Sequence, residues 1–203
     1  MPPRVRSPYD PGKAAVVEPI VQPLYSSVVI TVIGQSKATL FSENIGTAAG
    51  AEVDTNLDTP NILPNPKIFV ILGLRLHYTQ LGAASEVTNA FQMVDILKIA
   101  YSYWFLLFIG SKDYLRVPAF YLSSGLGYHG AFQNTNTSID QGTGGMGWPT
   151  FHSYFKLDRH PITIPPQQNF RAEMNKGIDF PSNLSQTRKM WSFLEGDFGR
   201  EVQ

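Results

Sequence analysis

The chain has 203 residues, with 16 acidic and 16 basic side chains and no cysteine. The zero formal net charge provides no strong field that would draw nucleic acid, so we expect no specific nucleic-acid binding by the body of the protein. The absence of cysteine excludes disulfides, thiolate catalysis and Cys-based metal sites. With 43% hydrophobic residues, the chain can bury a large core. The low share of charged residues, 16%, is typical either of a β-rich soluble domain or of a protein whose surface is largely covered by neighbouring subunits.

The first 23 residues are predicted to form an extended arm. Prolines in this segment oppose a helix, favour polyproline-like geometry and interrupt the apolar stretch that a signal peptide requires. Three basic side chains, partly offset by two acidic ones, make only a weak case for contact with nucleic acid or anionic lipid. We predict that residues 1–23 are either disordered or ordered against a neighbouring subunit, and that residues 24–203 form one folded domain. The prolines are Pro2, Pro3, Pro8, Pro11, Pro19 and Pro23.

Three strands are predicted before residue 80. The segments 24–34 and 37–41 are rich in β-branched residues, and a loop punctuated by Gly and Pro follows over 43–66. The segment 67–79 (KIFVILGLRLHYT) is the clearest strand, and its second face turns polar halfway along, which predicts that it leaves a covered region. Alternation places on its first face Ile68, Val70, Leu72, Leu74, Leu76 and Tyr78.

The middle of the chain mixes one helix with strands. Apolar residues over 85–100 have helical spacing, and we predict a short helix there after a Ser85 cap. Strands are predicted over 99–109 and over 114–122. The most apolar run, 101–109, is too short to span a membrane as a helix, which needs about 20 residues. Residues 123–150 contain seven of the 17 glycines and are predicted to be a long exposed loop or a pair of loops.

A corner is predicted in HPITIPPQQNFRAEM, residues 160–174. Ile162 and Ile164 belong to one strand, and Pro165 and Pro166 then remove two backbone donors. Apolar alternation resumes at Phe170. Such a corner is needed where a chain leaves one sheet and enters the facing one, so we predict that crossing here.

These elements predict an all-β chain of roughly seven to nine strands at irregular intervals. We predict a single jelly-roll β-sandwich of two antiparallel sheets with an N-terminal arm and long loops, and a barrel of the same strands is the alternative. The last strand is expected in KMWSFLEGDFGREVQ, residues 189–203.

We find no constellation that marks an enzyme, and we predict no catalytic, cofactor-binding or metal-binding residues. YLSSGLG at 121–127 lacks the Gly-x-Ser-x-Gly spacing of a nucleophile elbow. GTGGMG at 142–147 lacks the Lys-Ser or Lys-Thr of a phosphate loop and is interpreted as a flexible surface loop. No His-x-His pair occurs among the four histidines; His152 and His160 could meet across a hairpin, but no third ligand can be nominated. The other two histidines are His77 and His129.

The aromatic residues leave a second function open, namely a carbohydrate-binding β-sandwich module. Sugars stack on exposed aromatic rings, although most such residues in a sandwich belong to the core or to interfaces. An exposed tryptophan such as Trp148 is the natural residue to test. The candidates are Tyr101, Tyr103, Trp104, Tyr128, Trp148 and Trp191.

Two short motifs near the end of the chain carry a family resemblance. Pro-x-x-Ile-Pro-Pro at 161–166 is followed by Gln-Asn-Phe-Arg, and a Leu-x-Gly-x-x-x-Arg pattern is formed by Leu194, Gly196 and Arg200. Together with the proline-rich arm and the cysteine-free β-rich body, they resemble the single jelly-roll capsid proteins of tailless icosahedral bacteriophages, some of which enclose a membrane.

The resemblance implies a structural role in the virion. The expected function is that of a self-assembling capsid subunit, either the major shell protein or a minor vertex protein, with no catalytic residues to carry over. The implied partners are other copies of the chain and other capsid proteins, and an internal membrane is left open. Low charge and many aromatics agree with large subunit contacts, because interface cores are depleted of charge and enriched in aromatics.

Overall fold

The computed structural model describes residues 17–46, 51–80, 91–123, 129–133, 141–145, 154–157, 160–180, 183–184 and 187–201. Most of this part of the chain is β-structure, so the all-β prediction is confirmed. In chain order the elements are β1 (Val17–Val21), β2 (Leu24–Ile30), β3 (Lys37–Leu40), β4 (Lys67–Gln80), α1 (Phe91–Ser102), β5 (Tyr103–Ile109), β6 (Lys112–Pro118), β7 (His129–Gln133), β8 (Gln141–Gly145), β9 (Phe155–Lys156), β10 (Ile162–Ile164), β11 (Phe170–Lys176) and β12 (Arg188–Glu201).

The larger sheet has six strands built around a central antiparallel pair, β4 and β12, each of 14 residues. β1 and β2 lie end to end along the free side of β12, and β10 and β9 lie in the same way along the free side of β4. Pro19 stands in β1, where a residue without an N–H is tolerated because the strand is at the sheet edge. Part of the predicted arm therefore belongs to this sheet, and residues 1–16 lie outside the described chain.

The smaller sheet has the order β3-β11-β5-β6, with every pair antiparallel. Its inward side chains share one core with those of the larger sheet, for example Phe105 and Phe170 with Phe69 and Leu194. Each of these four side chains is fully buried, which stabilises the fold by about 1.5–3 kcal/mol per side chain. The predicted two-sheet antiparallel sandwich is confirmed at this level.

The proline corner connects the two sheets as predicted. β10 pairs with β4 in the larger sheet, and β11 pairs with β3 and β5 in the smaller one. Between them Gln167 has a positive φ of 57°, and its N–H donates to the Leu63 carbonyl oxygen at 2.9 Å. The chain therefore turns sharply after Pro165 and Pro166 and changes sheets within a few residues.

β4 does not keep the strict alternation that the sequence predicts. Phe69 and Ile71 are buried in the core in its first half, whereas Leu74 and Tyr78 are buried there in its second half. The change occurs at Leu72, which has no partner on β12 because the register shifts there. One extra residue in a strand exchanges its two faces. The predicted single face from Ile68 to Tyr78 is therefore wrong, and the bulge explains why the other face turns polar.

The helix exists and ends later than predicted. α1 runs from Phe91 to Ser102, so residues 99–102 are helical rather than the start of a strand, and residues 85–90 lie outside the described chain. A buried ion pair between Asp95 and Arg188 of β12, with an N–O distance of 2.7 Å, fixes the helix to the larger sheet. Lys98, which interrupts the apolar stripe, donates to the Asn183 carbonyl oxygen. These tertiary contacts hold the helix against the larger sheet and the segment after β11.

Two further predictions need correction. β6 ends at Pro118, and Ala119–Leu122 form a 3-10 turn instead of continuing the strand. The predicted loop 123–150 contains the antiparallel pair β7 and β8. Glycine-rich sequence reads as loop, but a ladder of backbone hydrogen bonds needs no side chains, and glycine adopts the extended conformation freely.

Candidate functional site

The outer face of the six-stranded sheet carries aromatic side chains from three neighbouring strands. Tyr25 of β2 and Phe193 of β12 have ring centroids 5.8 Å apart, and His77 of β4 lies 6.2 Å from Trp191 of β12. These side chains line an open depression of about 420 Å³, which we name the aromatic face. Its volume lies within the range of about 300–1,000 Å³ that is common for ligand pockets.

The rings of the aromatic face are held by the protein's own polar groups. The Arg75 guanidinium lies 4.7 Å from the Phe193 ring centroid, and the Lys189 ammonium lies 5.0 Å from that of Trp191. The Trp191 indole N–H donates to the Val53 carbonyl oxygen at 3.1 Å. These contacts occupy the hydrogen-bonding and cation-binding capacity that a ligand would use.

The turn that contains Val53 is fastened across this face. The Asp54 carboxylate pairs with Lys189 and accepts a hydrogen bond from the Ser27 hydroxyl at 2.9 Å. The Tyr25 hydroxyl donates to the Glu52 carbonyl oxygen. The aromatic face is therefore a structural contact between the sheet and this turn.

The three histidines in the described part of the chain lie on or beside different strands. His77 lies on the aromatic face, where burial lowers its pKa and the Arg75 charge lowers it further. His160 is exposed just before β10, His129 is in β7, and His152 lies outside the described residues. Within the described ranges, no three His, Cys, Asp or Glu side chains are placed to hold a metal ion.

The outer face of the four-stranded sheet contains a buried carboxylate. Glu173 of β11 is 4% exposed and accepts hydrogen bonds at 2.7 Å from both Lys37 and Arg171. Burial by itself would raise the pKa of Glu173, but the hydrogen bonds and charges of its two partners outweigh burial and hold that pKa below its usual value. The Arg171 guanidinium also lies 4.5 Å from the Phe108 ring centroid. These contacts neutralise the carboxylate and order this part of the face.

Beside Glu173 lies a smaller depression of about 270 Å³, which we name the Trp104 depression. Two pairs of cross-strand neighbours contribute to it: Asn175 beside Trp104, and Leu106 beside Arg116. It is lined by Trp104, Leu106, Arg116, Asn175, Lys176 and Gly177.

The other aromatic candidates have different surroundings. Tyr103 is buried and donates its hydroxyl to the Gln35 carbonyl oxygen at 2.7 Å, and burial raises its pKa to about 12. Tyr101 is 62% exposed and stacks on Phe120 with ring centroids 5.1 Å apart. The remaining two candidates, Tyr128 and Trp148, lie outside the described residues.

The described parts of the segments 121–127 and 142–147 form a 3-10 turn and a strand. Tyr121 and Leu122 lie in the 3-10 turn after β6, and residues 124–127 are outside the described chain. Gly142–Gly145 form part of β8, so the interpretation of this stretch as a flexible loop is wrong for those four residues.

Exposed apolar side chains occur where the turn after β2 meets the segment after β11. Ile33 and Ile178 are 68% and 67% exposed. The two segments are joined by a hydrogen bond from the Leu184 N–H to the Val32 carbonyl oxygen and by contact of the Phe180 ring with Gly34. Large apolar side chains held in the open on an ordered surface are typical of contact sites between proteins.

Comparison with protein family models, with curated proteins and with solved structures found no match to this chain. Within the described residues, no helix has the length and apolar character needed to cross a membrane.

Proposed function

We propose that the sandwich is a single jelly roll and that the chain is a self-assembling capsid subunit of a tailless icosahedral virus. The pairing order of the strands carries this proposal. Apart from β7 and β8, which form a separate pair, ten strands make up the two larger sheets. Taking β1 with β2, and β9 with β10, as one strand each leaves eight strands in two four-stranded sheets. A jelly roll has eight strands in two sheets and occurs in viral capsid and lectin domains.

The pairing is nested in the way a rolled hairpin requires. Of the eight strands, the first pairs with the eighth, the second with the seventh, the third with the sixth and the fourth with the fifth. The turn at Gly110 between β5 and β6 is then the tip of a long hairpin, and successive strand pairs alternate between the two sheets. This order supports the jelly roll over a closed barrel.

The residues that carry the family resemblance have structural work at defined places. Pro165 and Pro166 mark the crossing between sheets, Leu194 is fully buried, and Gly196 lies at the bulge between β12 and β4. These positions are sensitive to backbone geometry, so the motifs are consistent with preservation of one particular roll.

Assembly is supported by the edge position of β1 and by the exposed apolar side chains of Ile33 and Ile178. β1 is joined to β12 and has no second strand neighbour in the described chain, so the described residues begin at a sheet edge. We propose that residues 1–16 contact neighbouring subunits and that Ile33 and Ile178 contribute to contacts between subunits. The proposed partners are other copies of this chain and other capsid proteins in the virion, with an internal membrane as a further proposed neighbour.

Two truncations test the role of the arm. Deletion of residues 1–16 retains β1, whereas deletion of residues 1–23 also removes it. Light scattering coupled to size-exclusion chromatography is expected to show oligomers or larger bodies for the full chain and weaker assembly for both truncations. Far-UV circular dichroism should show an intact fold for the 1–16 deletion. A full chain that stays monomeric at every concentration, with no change on truncation, would overturn the proposal.

A further inference from the structure

Trp104 differs from Trp191 because its indole is exposed on an ordered surface and its hydrogen-bonding capacity is unused within the described residues. Its side chain is 43% exposed, and its indole N–H donates to no acceptor within the described residues. The ring lies against Gly177, where a methyl group would be only 2.8 Å from the indole Cδ1 and Nε1 atoms. The indole is therefore held by the backbone at Gly177 on one side and remains accessible to solvent elsewhere.

An unfilled acceptor lies beside this unfilled donor. Asn175 is the cross-strand neighbour of Trp104, and its Oδ1 atom is buried without a hydrogen-bond partner in the described chain. Buried polar atoms nearly always have a partner, so an acceptor left open beside a depression points to a ligand or to water. Hydroxyl groups suit such a pair, because one hydroxyl both donates and accepts.

The depression is apolar at its base and electrically balanced at its rim. Leu106, which is 4% exposed, provides an apolar side chain among the polar lining residues. Of the two lining cations, Arg116 is 3.5 Å from the Asp113 carboxylate and Lys176 is 2.9 Å from the Asp179 carboxylate. Because both cations already have an acidic partner, the site favours a neutral ligand over a phosphate or carboxylate.

The size of the depression limits the ligand to about one ring. Its volume of about 270 Å³ is just below the range of about 300–1,000 Å³ that holds drug-sized ligands. A pyranose ring has an apolar face of C–H groups that packs on an aromatic ring and a rim of hydroxyls for the adjacent donor and acceptor. An isolated nucleobase could also stack, but a nucleotide would bring a phosphate for which no cation is unpaired here.

We propose that the Trp104 depression binds a neutral sugar ring, such as one unit of a glycan. Trp104 supplies the stacking surface and one donor, Asn175 supplies the acceptor, and Gly177 leaves room for the indole. The carbohydrate-binding capacity that the sequence leaves open is thereby placed on Trp104 rather than on Trp148.

Saturation-transfer NMR on the full chain, with a panel of neutral hexoses, N-acetylhexosamines and their disaccharides, tests the proposal. We expect at least one sugar to bind with a Kd of about 1 mM, as is reasonable for a one-ring ligand. The Trp104→Ala change should weaken binding about tenfold or more. Uridine and adenosine serve as ring-shaped competitors. Binding of these nucleosides, with no binding by any sugar of the panel, would overturn the proposal.

Three variants separate loss of the site from loss of the fold. Gly177→Ala keeps the indole but displaces it, and Asn175→Ala removes the acceptor; both should weaken sugar binding while the amide NMR spectrum remains that of the folded chain. Trp191→Phe is the matched control and should leave the sugar Kd unchanged. No signal from any panel member at about 10 mM, or equal signals from the parent chain and Trp104→Ala, would overturn the assignment.

Discussion

The outer faces of the two sheets use aromatic residues in opposite ways. On the six-stranded sheet, Trp191 donates to Val53 and Lys189 lies over its ring, so the aromatic face is satisfied from within the chain. On the four-stranded sheet, the Trp104 N–H and the buried Oδ1 of its neighbour Asn175 have no hydrogen-bond partner within the described residues. An exposed aromatic side chain on a strand therefore does not by itself define a binding site. What matters is whether neighbouring segments already supply the partners.

A second contrast between the sheets concerns their backbones. β12 presses so closely on β4 at the bulge that a Cβ at Gly196 would overlap the Val70 carbonyl oxygen. In the four-stranded sheet, the contact of Gly177 is with the indole of Trp104. A glycine required by backbone should tolerate substitution far less than one required by a side chain that can move.

The largest loss of stability is expected for a substitution at the bulge of the six-stranded sheet. Gly196→Ala should lower the free energy of unfolding by about 3 kcal/mol, because the backbone of β4 or β12 must shift to admit the methyl group. Gly177→Ala, the matched control, should cost less than about 1 kcal/mol. Urea unfolding followed by circular dichroism measures both. Similar losses in the two variants would contradict the distinction between backbone and side-chain contacts.

The next effect concerns the buried carboxylate of the four-stranded sheet. Glu173→Gln should cost about 2 kcal/mol at pH 7, because two hydrogen bonds from cations lose their anionic acceptor. The pKa of Glu173 is lowered from 4.5, so its ionised form stabilises the fold above that pH, and this stabilisation is lost as the pH falls through the folded-state pKa. Urea unfolding at pH 7 and at about pH 3.5 should show the gap between parent and variant shrinking. A gap that is equal at both pH values would refute this.

A smaller effect compares the two tryptophans directly. Trp191→Phe removes the hydrogen bond to Val53 and should lower the free energy of unfolding by about 1 kcal/mol. Trp104→Phe removes no hydrogen bond within the described chain and should change stability by less than about 0.5 kcal/mol. Thermal and urea unfolding of the pair measure the difference. A larger loss at Trp104 than at Trp191 would reverse the assignment of open and closed faces.

The smallest effect is the titration of His77. Burial and the Arg75 charge lower the pKa of His77 from 6.5, so its imidazole should remain neutral in the folded chain at a pH where it is protonated in the unfolded chain. The unfolded state then binds the proton first, and stability should fall slightly as the pH drops below 6.5. Two-dimensional NMR of the imidazole follows the titration. A pKa at or above 6.5 would show that the aromatic face is more hydrated than the structure indicates.

Much of the fold follows from patterns that act within a few residues. The corner at Pro165 and Pro166 could be predicted because proline chemistry and apolar alternation are local. The bulge at Leu72 could not, because alternation alone cannot show that one residue lacks a partner on a distant strand. The end of α1 is not marked locally either, because the Ser102 carbonyl oxygen at its last residue accepts a hydrogen bond from the distant Gly177 N–H at 2.8 Å.

The candidate site was predictable only in part. Trp104 is one of six aromatic candidates, and no local pattern ranks it above Trp148 or Trp191. Asn175 and Gly177 were not among the candidates, because their role depends on the pairing of β11 with β5. Alternation in β11 does place Asn175 on the face opposite Met174, and this was the one local signal available.

The central proposal is that the chain assembles with copies of itself into a symmetric shell. Size-exclusion chromatography with light scattering, followed by negative-stain imaging of the same fractions, tests it most directly. The proposal predicts discrete symmetric oligomers such as trimers, pentamers or hexamers, or closed shells, whose population rises with protein concentration. A single monomeric species across concentration and salt would contradict it.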